Sequence, residues 1–384
     1  MFFLKSVVIG MLLLCFNAVS APITLNISYI KLTPEKPPVF SRLFEKPENS
    51  GYLGAKLAIN DSNTTGKFLQ QYFNLNYFTA TKKAQFLEYL DSEYLKGQRI
   101  FIIEASLLPE VDRWAKNKPV LLFNVSESDD ELRNSQCLNS IFHTIPSNAM
   151  KSDALAQWLL YRRMNKVLLI RGSKAEDIQL ATSFKRSAKR FGLKIIDEKQ
   201  WDFNTDLRRS AQQEIPLFTQ TVKDYDAVYV ADKSKDFAEF IPFNTYLPRP
   251  VIGSAGLEAL AWHGVIEQWG AAQLQTRFTE MADRQMNEQD FAGYLAVRSV
   301  AQAAHKLHLN DINKLVNYID SKNFDLAAYK GRKLSFRSWS KQLRMPLALV
   351  HPHALVSQSP QPGMLHPLTD LDTLGFDAQE SQCK

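Results

Sequence analysis

The chain has 384 residues, 45% of them hydrophobic and 22% charged, the composition of a folded globular protein and not of a disordered one. Its 46 Lys and Arg against 40 Asp and Glu leave a formal charge of +6, spread without a dense basic run, so nucleic acid is not implied as a partner. At this length a single core is usually exceeded, and two lobes are expected.

The chain opens Met-Phe-Phe-Leu-Lys5, continues apolar from Val7 to Phe16 and reaches Ala18-Val-Ser-Ala21. This charged, apolar and small-residue order is that of a secretory signal peptide over 1–21, cut after Ala21. Asn17 closes the run short of the about 20 apolar residues of a spanning helix, so a permanent anchor is the weaker reading. Leu14 stands where lipid attachment at Cys15 would need a small residue. A soluble protein exported to the periplasm is expected. Loss of Lys5 and Cys15 with the leader leaves a charge of +5 and two cysteines, Cys137 and Cys383. In an oxidising compartment the pair suggests one disulfide, with two separate buried thiols as the alternative.

Strand-like runs then appear at Ile23–Ile30, Leu75–Phe78, Arg99–Ile103, Val120–Val125, Val167–Ile170, Leu193–Ile196 and Ala227–Ala231. Helix-like stretches separate them at Tyr52–Ser62, Lys82–Leu95, Asp153–Met164 and Glu176–Phe191, and another follows at Phe291–Leu307. The alternation predicts an α/β protein with mostly parallel sheets, and runs such as Val167-Leu-Leu-Ile170 fit strands covered on both faces. In the first helix Leu53, Leu57, Ala55, Ala58 and Ile59 form an apolar face at helical spacing. The polar run after it ends in Gly66-Lys67, the pair found in phosphate-gripping loops. Such a loop also needs Gly four residues earlier and Ser or Thr directly after; Asp61 and Phe68 stand there, so a helix ending at Gly66 is expected instead.

Proline-bearing breaks at Ile141-Phe-His-Thr-Ile-Pro146 and Pro248-Arg-Pro-Val-Ile-Gly253 suit crossings between lobes. The last sixty residues change character, with strand-like Lys333–Arg337 and Leu347–Val350 and a Pro-, Gly- and Ser-containing tail, and read as an appended edge layer.

These features together resemble the type I periplasmic binding proteins, the fold of the Leu/Ile/Val receptors that serve ABC importers. The resemblance rests on the first strand Ile23-Thr-Leu-Asn-Ile-Ser28, the helix opening Gly54-Ala-Lys-Leu-Ala-Ile-Asn60, the crossing Phe142-His-Thr-Ile-Pro-Ser147 and the following Lys166-Val-Leu-Leu-Ile170. It implies two Rossmann-like lobes joined by crossover segments, with 22–143 and 254–325 in lobe 1, and 144–253 and 326–384, including the tail, in lobe 2. A narrower likeness lies in Asn60–Gly66, Tyr246–Leu257, Glu267–Ala271, Gln273–Phe278, Leu371–Gly375 and Glu380–Cys383. These stretches resemble the ABC-transporter substrate-binding subgroup linked to PQQ-dependent alcohol dehydrogenase systems. The implied partners are a small-molecule ligand and an inner-membrane ABC permease, and a monomer is expected. The alternative is a ligand-sensing or accessory module of the same fold that transports nothing.

In such a fold ligands bind at the carboxyl ends of parallel strands. That rule selects Glu104 and Ser106, then Asn124, Ser126 and Asp129, in lobe 1; in lobe 2 it selects Arg171, Ser173 and Asp232. Amino-acid receptors of this fold hold a carboxylate with small hydroxyl residues and backbone N–H groups. Here Glu104, Glu127, Asp129 and Asp130 would repel one, favouring a neutral alcohol-derived compound, an amine or a cation, unless Asp129–Glu131 is only a solvated acidic helix start. His351 and His353 alternate as a metal pair could but lack a third ligand. His263, beside Trp262, reads as a loop residue, and Trp201, Trp269 and Trp339 as core or rim. No Gly-x-Ser-x-Gly elbow, His-Glu-x-x-His helix or Gly-x-Gly-x-x-Gly loop occurs, so no catalytic residue, metal or cofactor is assigned.

Overall fold

The structure is a computed structural model that describes residues 22–33, 47–202 and 207–383. The expected leader over 1–21 lies outside the described residues. The first half holds β1 (Ile23–Leu32), α1 (Tyr52–Leu69), β2 (Gln71–Ala80), α2 (Lys83–Leu95), β3 (Ile100–Glu104), α3 (Leu108–Ala115), β4 (Leu121–Asn124), α4 (Glu131–Asn134) and β5 (Ile141–His143). Its five strands form one all-parallel sheet in the order β2-β1-β3-β4-β5. The second half holds α5 (Asn148–Tyr161), β6 (Lys166–Arg171), α6 (Ala175–Arg190), β7 (Lys194–Gln200), α7 (Leu207–Phe218), β8 (Ala227–Ala231) and β9 (Val251–Gly253). Its four strands are again all parallel, in the order β7-β6-β8-β9.

The central strands are buried along their whole length, Ile-Phe-Ile-Ile-Glu in β3 and Ala-Val-Tyr-Val-Ala in β8, because helices cover both faces. In the first sheet Leu25, Ile27 and Tyr29 face α1, while Ile30, Phe101 and Ile103 pack with Phe86 and Leu90 of α2 and Val111 of α3. β2 lies at an edge and alternates buried with exposed residues at its start.

Beyond the second sheet come β10 (Glu258–Leu260), α8 (Ala271–Ala282), α9 (Glu288–Leu307), α10 (Ile312–Ile319), β11 (Leu326–Ala327), β12 (Lys333–Leu334), β13 (Leu347–His351) and β14 (Ala354–Ser359). α9 returns to the first half and lies along α1 at close range. A side chain on Gly54 would meet the Asp290 carbonyl at 1.7 Å, and one on Gly293 the Gly51 carbonyl at 2.3 Å. The closing layer is an antiparallel sheet in the order β10-β13-β14, against which α5 packs. The strand expected over Lys333–Arg337 is only the two-residue β12, paired with β11.

One boundary needs correction. Helix α1 does not end at Gly66 but runs to Leu69, and Gln70 is the residue with positive φ (54°), its N–H bonded to the Gly66 carbonyl. Gly66 lies inside the helix, where a side chain would lie 2.1 Å from the Gln71 carbonyl oxygen. Its glycine serves close approach and not a cap.

Candidate functional site

The carboxyl ends of the strands are reached by the amino ends of α1, α5 and α9. Gly51 N–H donates to Asp290 Oδ1 at 2.8 Å, tying α9 to α1. Lys151 of α5 pairs with Glu288 of α9 and so joins the second half to the helix that lies on the first, and Glu288 also accepts from Ala261 N–H at 2.7 Å.

Glu104 ends β3 and is buried. Its Oε2 accepts from the Tyr29 hydroxyl at 2.6 Å, and its Oε1 lies 2.8 Å from Lys31 Nζ. Burial pushes the carboxyl above its ordinary range, opposed by Lys31 and by bonds from Tyr29 and Gln289. Tyr29 in turn is pushed well up, by burial first and then by the Glu104 charge. Tyr52 and Tyr77 pack beside it with their ring centroids 4.3 Å apart, and Tyr77 is half-exposed. Ser106, two residues beyond Glu104, is exposed. The repulsion expected between Glu104 and a carboxylate is thus offset by a cation that the sequence reading did not pair with it.

Asn124 ends β4 opposite Ile103 and builds the loop that follows. Its Oδ1 accepts from the N–H groups of Ser126 (3.1 Å) and Glu127 (2.9 Å), and its Nδ2 donates to the Glu127 carbonyl at 2.8 Å and faces His143 Nδ1 at 2.9 Å. The Ser126 hydroxyl is buried without a protein partner. Asp129 Oδ1 accepts from Glu131 N–H at 3.0 Å, and its Oδ2 accepts from Gln179 of α6 at 3.0 Å. Asp130 accepts from Ala149 N–H at 2.8 Å and from the Ser183 hydroxyl, and burial pushes its carboxyl up. These acids therefore organise the start of α4 and reach across to α5 and α6.

In the second sheet Arg171 and Asp232 end adjacent strands, since Arg171 pairs with Ala231. Arg171 turns toward β7, donating to Glu198 at 2.9 Å and to the Gly172 carbonyl at 3.1 Å. Ser173 is exposed. Asp232 is buried; its Oδ2 accepts from the N–H groups of Phe237 (2.7 Å) and Ala238 (2.8 Å), and its own N–H donates to Ser254 Oγ at 3.0 Å. Its Oδ1 is buried without a protein partner, and burial pushes the carboxyl up.

The structure thus brings Glu104, Asn124, Ser126 and Asp129 onto neighbouring strand ends in one half, and Arg171 and Asp232 onto neighbouring ends in the other. Lys31, Tyr29, Gln289 and the Lys151–Glu288 pair were missed. Lys31 carried a usable signal, because it follows the first expected strand as Glu104 follows the third. A concavity at the opposite strand ends, lined by Pro119, Ser140, Phe142 and the Lys341–Asp320 pair, contains none of these residues. Among the described residues no group of three or more His, Cys, Asp or Glu side chains is placed to hold a metal ion, and no helix is long and apolar enough to cross a membrane. Cys137 and Cys383 are bonded, with Cα atoms 5.3 Å apart across 246 residues of sequence.

No protein-family model and no curated protein matches the chain. Solved structures do. A periplasmic binding protein from Burkholderia mallei is 14% identical, with 94% of this chain and 98% of that one covered and a TM-score of 0.67. A branched-chain amino acid ABC transporter periplasmic ligand-binding protein from Burkholderia xenovorans is 15% identical, with 87% and 95% covered and a TM-score of 0.69. A solute-binding protein of an ABC transporter from R. palustris, solved in complex with benzoate, is 11% identical, with 85% and 92% covered and a TM-score of 0.63. The fold is that of the type I periplasmic binding proteins.

Proposed function

We propose that the protein is a non-catalytic, monomeric solute-binding protein of the periplasm that captures a small molecule between its lobes and presents it to an inner-membrane ABC permease. The observation that carries this reading is the pairing of two all-parallel sheets whose carboxyl-terminal strand ends lie where the amino ends of α5 and α9 are bridged by Lys151 and Glu288. Ligands of such sheets sit at those ends, and lobe closure reports occupancy only as far as the ligand prefers the closed form. In this reading 22–143 with 254–325 form one lobe, 144–253 with 326–384 form the other, and 1–21 is the leader. Glu104, Ser106, Asn124, Ser126, Asp129, Arg171, Ser173 and Asp232 border the cleft.

The likeness of several stretches to the subgroup linked to PQQ-dependent alcohol dehydrogenase systems supports a solute connected with alcohol oxidation. Because Lys31 compensates Glu104, a carboxylate-bearing solute is not disfavoured at that wall. Native mass spectrometry of protein purified without refolding, followed by small-angle scattering with each solute recovered, tests the reading. A bound small molecule and a contracted radius are expected. A chain that turns a substrate over without contracting belongs to the enzymes instead. A chain that closes on a solute but does not stimulate its reconstituted permease is the sensing or accessory module.

A further inference from the structure

The C-terminal segment is held by both halves of the molecule. On the second half Gly375 is clamped between α5 and α6. Its N–H donates to Asp153 Oδ2 at 2.7 Å, and its carbonyl accepts from Arg186 at 2.9 Å and Arg190 at 2.8 Å. Gln157 donates to Thr373 Oγ1 at 3.0 Å, and Glu380 pairs with Arg186 at 2.7 Å. On the first half Gln382 N–H donates to Asn134 Oδ1 at 3.1 Å, and Cys383 is bonded to Cys137, between α4 and β5. Phe376 lies over the Arg186 guanidinium and lines the groove between α4 and α6 with Asp130, Asn134 and Ser183. Beside this groove β5 runs through Thr144–Ser147 into α5, so the segment spans the same two halves as the first crossing.

From Glu380, gripped by α6, to Cys383, bonded to the first half, there are three residues. An extended chain spans at most about 3.3–3.6 Å per residue, so the two attachments can separate to roughly 10 Å and no further.

We propose that the C-terminal segment is a covalent strap beside the hinge, whose disulfide limits how far α4 can part from α6 and so sets the amplitude of lobe motion. Three residues cannot follow a wide rotation while both ends hold. Cutting the Cys137–Cys383 bond frees the first-half end and leaves the ion pairs on α6 intact. The populated range of arrangements then widens, and the fraction ready to close on a solute falls with it.

The experiment needs no solute, so its outcome is separate from that of the transport reading. Hydrogen exchange with mass spectrometry is run on the full chain, oxidised and gently reduced, beside small-angle scattering. Reduction is expected to speed exchange severalfold in the crossings Thr144–Lys151 and Gly253–Trp262 and to enlarge the radius, while β1 and β6 keep their protection. A rise spread evenly over both sheets, or no change at the crossings, overturns the proposal, because the bond then serves only global stability or nothing. The Cys137→Ser, Cys383→Ser double variant repeats the reduced state. If it fails to fold, a second variant decides: about six Gly and Ser residues inserted after Glu380 lengthen the strap by roughly 20 Å with the disulfide kept. That chain is expected to behave like the reduced protein; behaviour like the oxidised parent overturns the strap.

Discussion

Lys31 Nζ lies 2.8 Å from Glu104 Oε1, and both side chains are about nine-tenths buried. The pair sits where β1 and β3 end side by side, with Lys31 in register with Glu104. Breaking a buried pair by removing one partner leaves an uncompensated charge, which is more costly than removing both. Lys31→Met is therefore expected to destabilise the protein by about 2–4 kcal/mol. Adding Glu104→Gln should recover most of the loss, since the amide needs no counter-charge. Urea unfolding of the parent, both single variants and the double variant measures the coupling; additive effects would show that the two charges are independent.

Much of the fold was legible because its signal is local. Each expected strand from Ile23 to Ala231 is present, as runs such as Val167-Leu-Leu-Ile170 have few other ways to satisfy both backbone and burial. What was not legible depends on partners far away in sequence. β5, β9 and β10 have three residues each and take their form from neighbouring strands, β14 is an edge strand held by β13, and α3 and α10 span only eight residues each. The surroundings of the candidate residues were legible only in part for the same reason. The rule of carboxyl strand ends placed Glu104 and Asn124 where they are, yet could not say that Lys31 would neutralise the first or that the second would spend its amide on its own loop.

Gly66 shows a more local limit and gives a second prediction. A glycine after a polar run reads as a helix terminus, but only the fold brings the Gln71 carbonyl within 2.1 Å of where its side chain would be. Gly66→Ala should therefore destabilise by about 1–3 kcal/mol through overpacking, despite the better helix propensity of alanine. Thermal unfolding checks this. A gain in stability, as an ordinary mid-helix Gly→Ala change gives, would contradict the close contact.

Asp153 is fully buried and accepts from Arg186 and Arg190, each at 3.0 Å, as well as from Gly375 N–H and Ser187 Oγ. Asp153→Asn keeps the shape but leaves the two guanidinium groups with only the more exposed Glu380 as counter-charge. The expected loss is about 2–4 kcal/mol, below the full cost for a sealed pair because both arginines reach solvent in part. The strap should also loosen around Gly375. Limited proteolysis with chymotrypsin is expected to cut the variant at Leu374 or Phe376, beside Gly375, sooner than the parent; an unchanged digestion pattern would separate the cluster from the tail's attachment.

Lys330 is buried, donates to the Ala261 carbonyl and lies over the rings of Phe291 and Trp262, 5.2 and 6.0 Å from their centres. Burial pushes its ammonium down to about 7 from an ordinary 10.5, only partly opposed by the Glu288 charge. Below pH 7 the lysine is protonated whether the chain is folded or not, and the folded state bears the whole cost of burying the charge. Between 7 and 10.5 the unfolded chain alone keeps the proton. Stability from this group then rises with pH, by up to roughly 1.4 kcal/mol per unit. Above 10.5 it contributes nothing. Lys330→Met, which removes the charge and fills the same space, should be more stable than the parent at pH 6 by about 1–3 kcal/mol, after the lost bond to Ala261. The advantage is expected to shrink steadily from pH 7 to 10. Denaturant unfolding of the two proteins at several pH values measures the difference directly, and a gap that stays constant across that window would mean that Lys330 keeps its proton throughout.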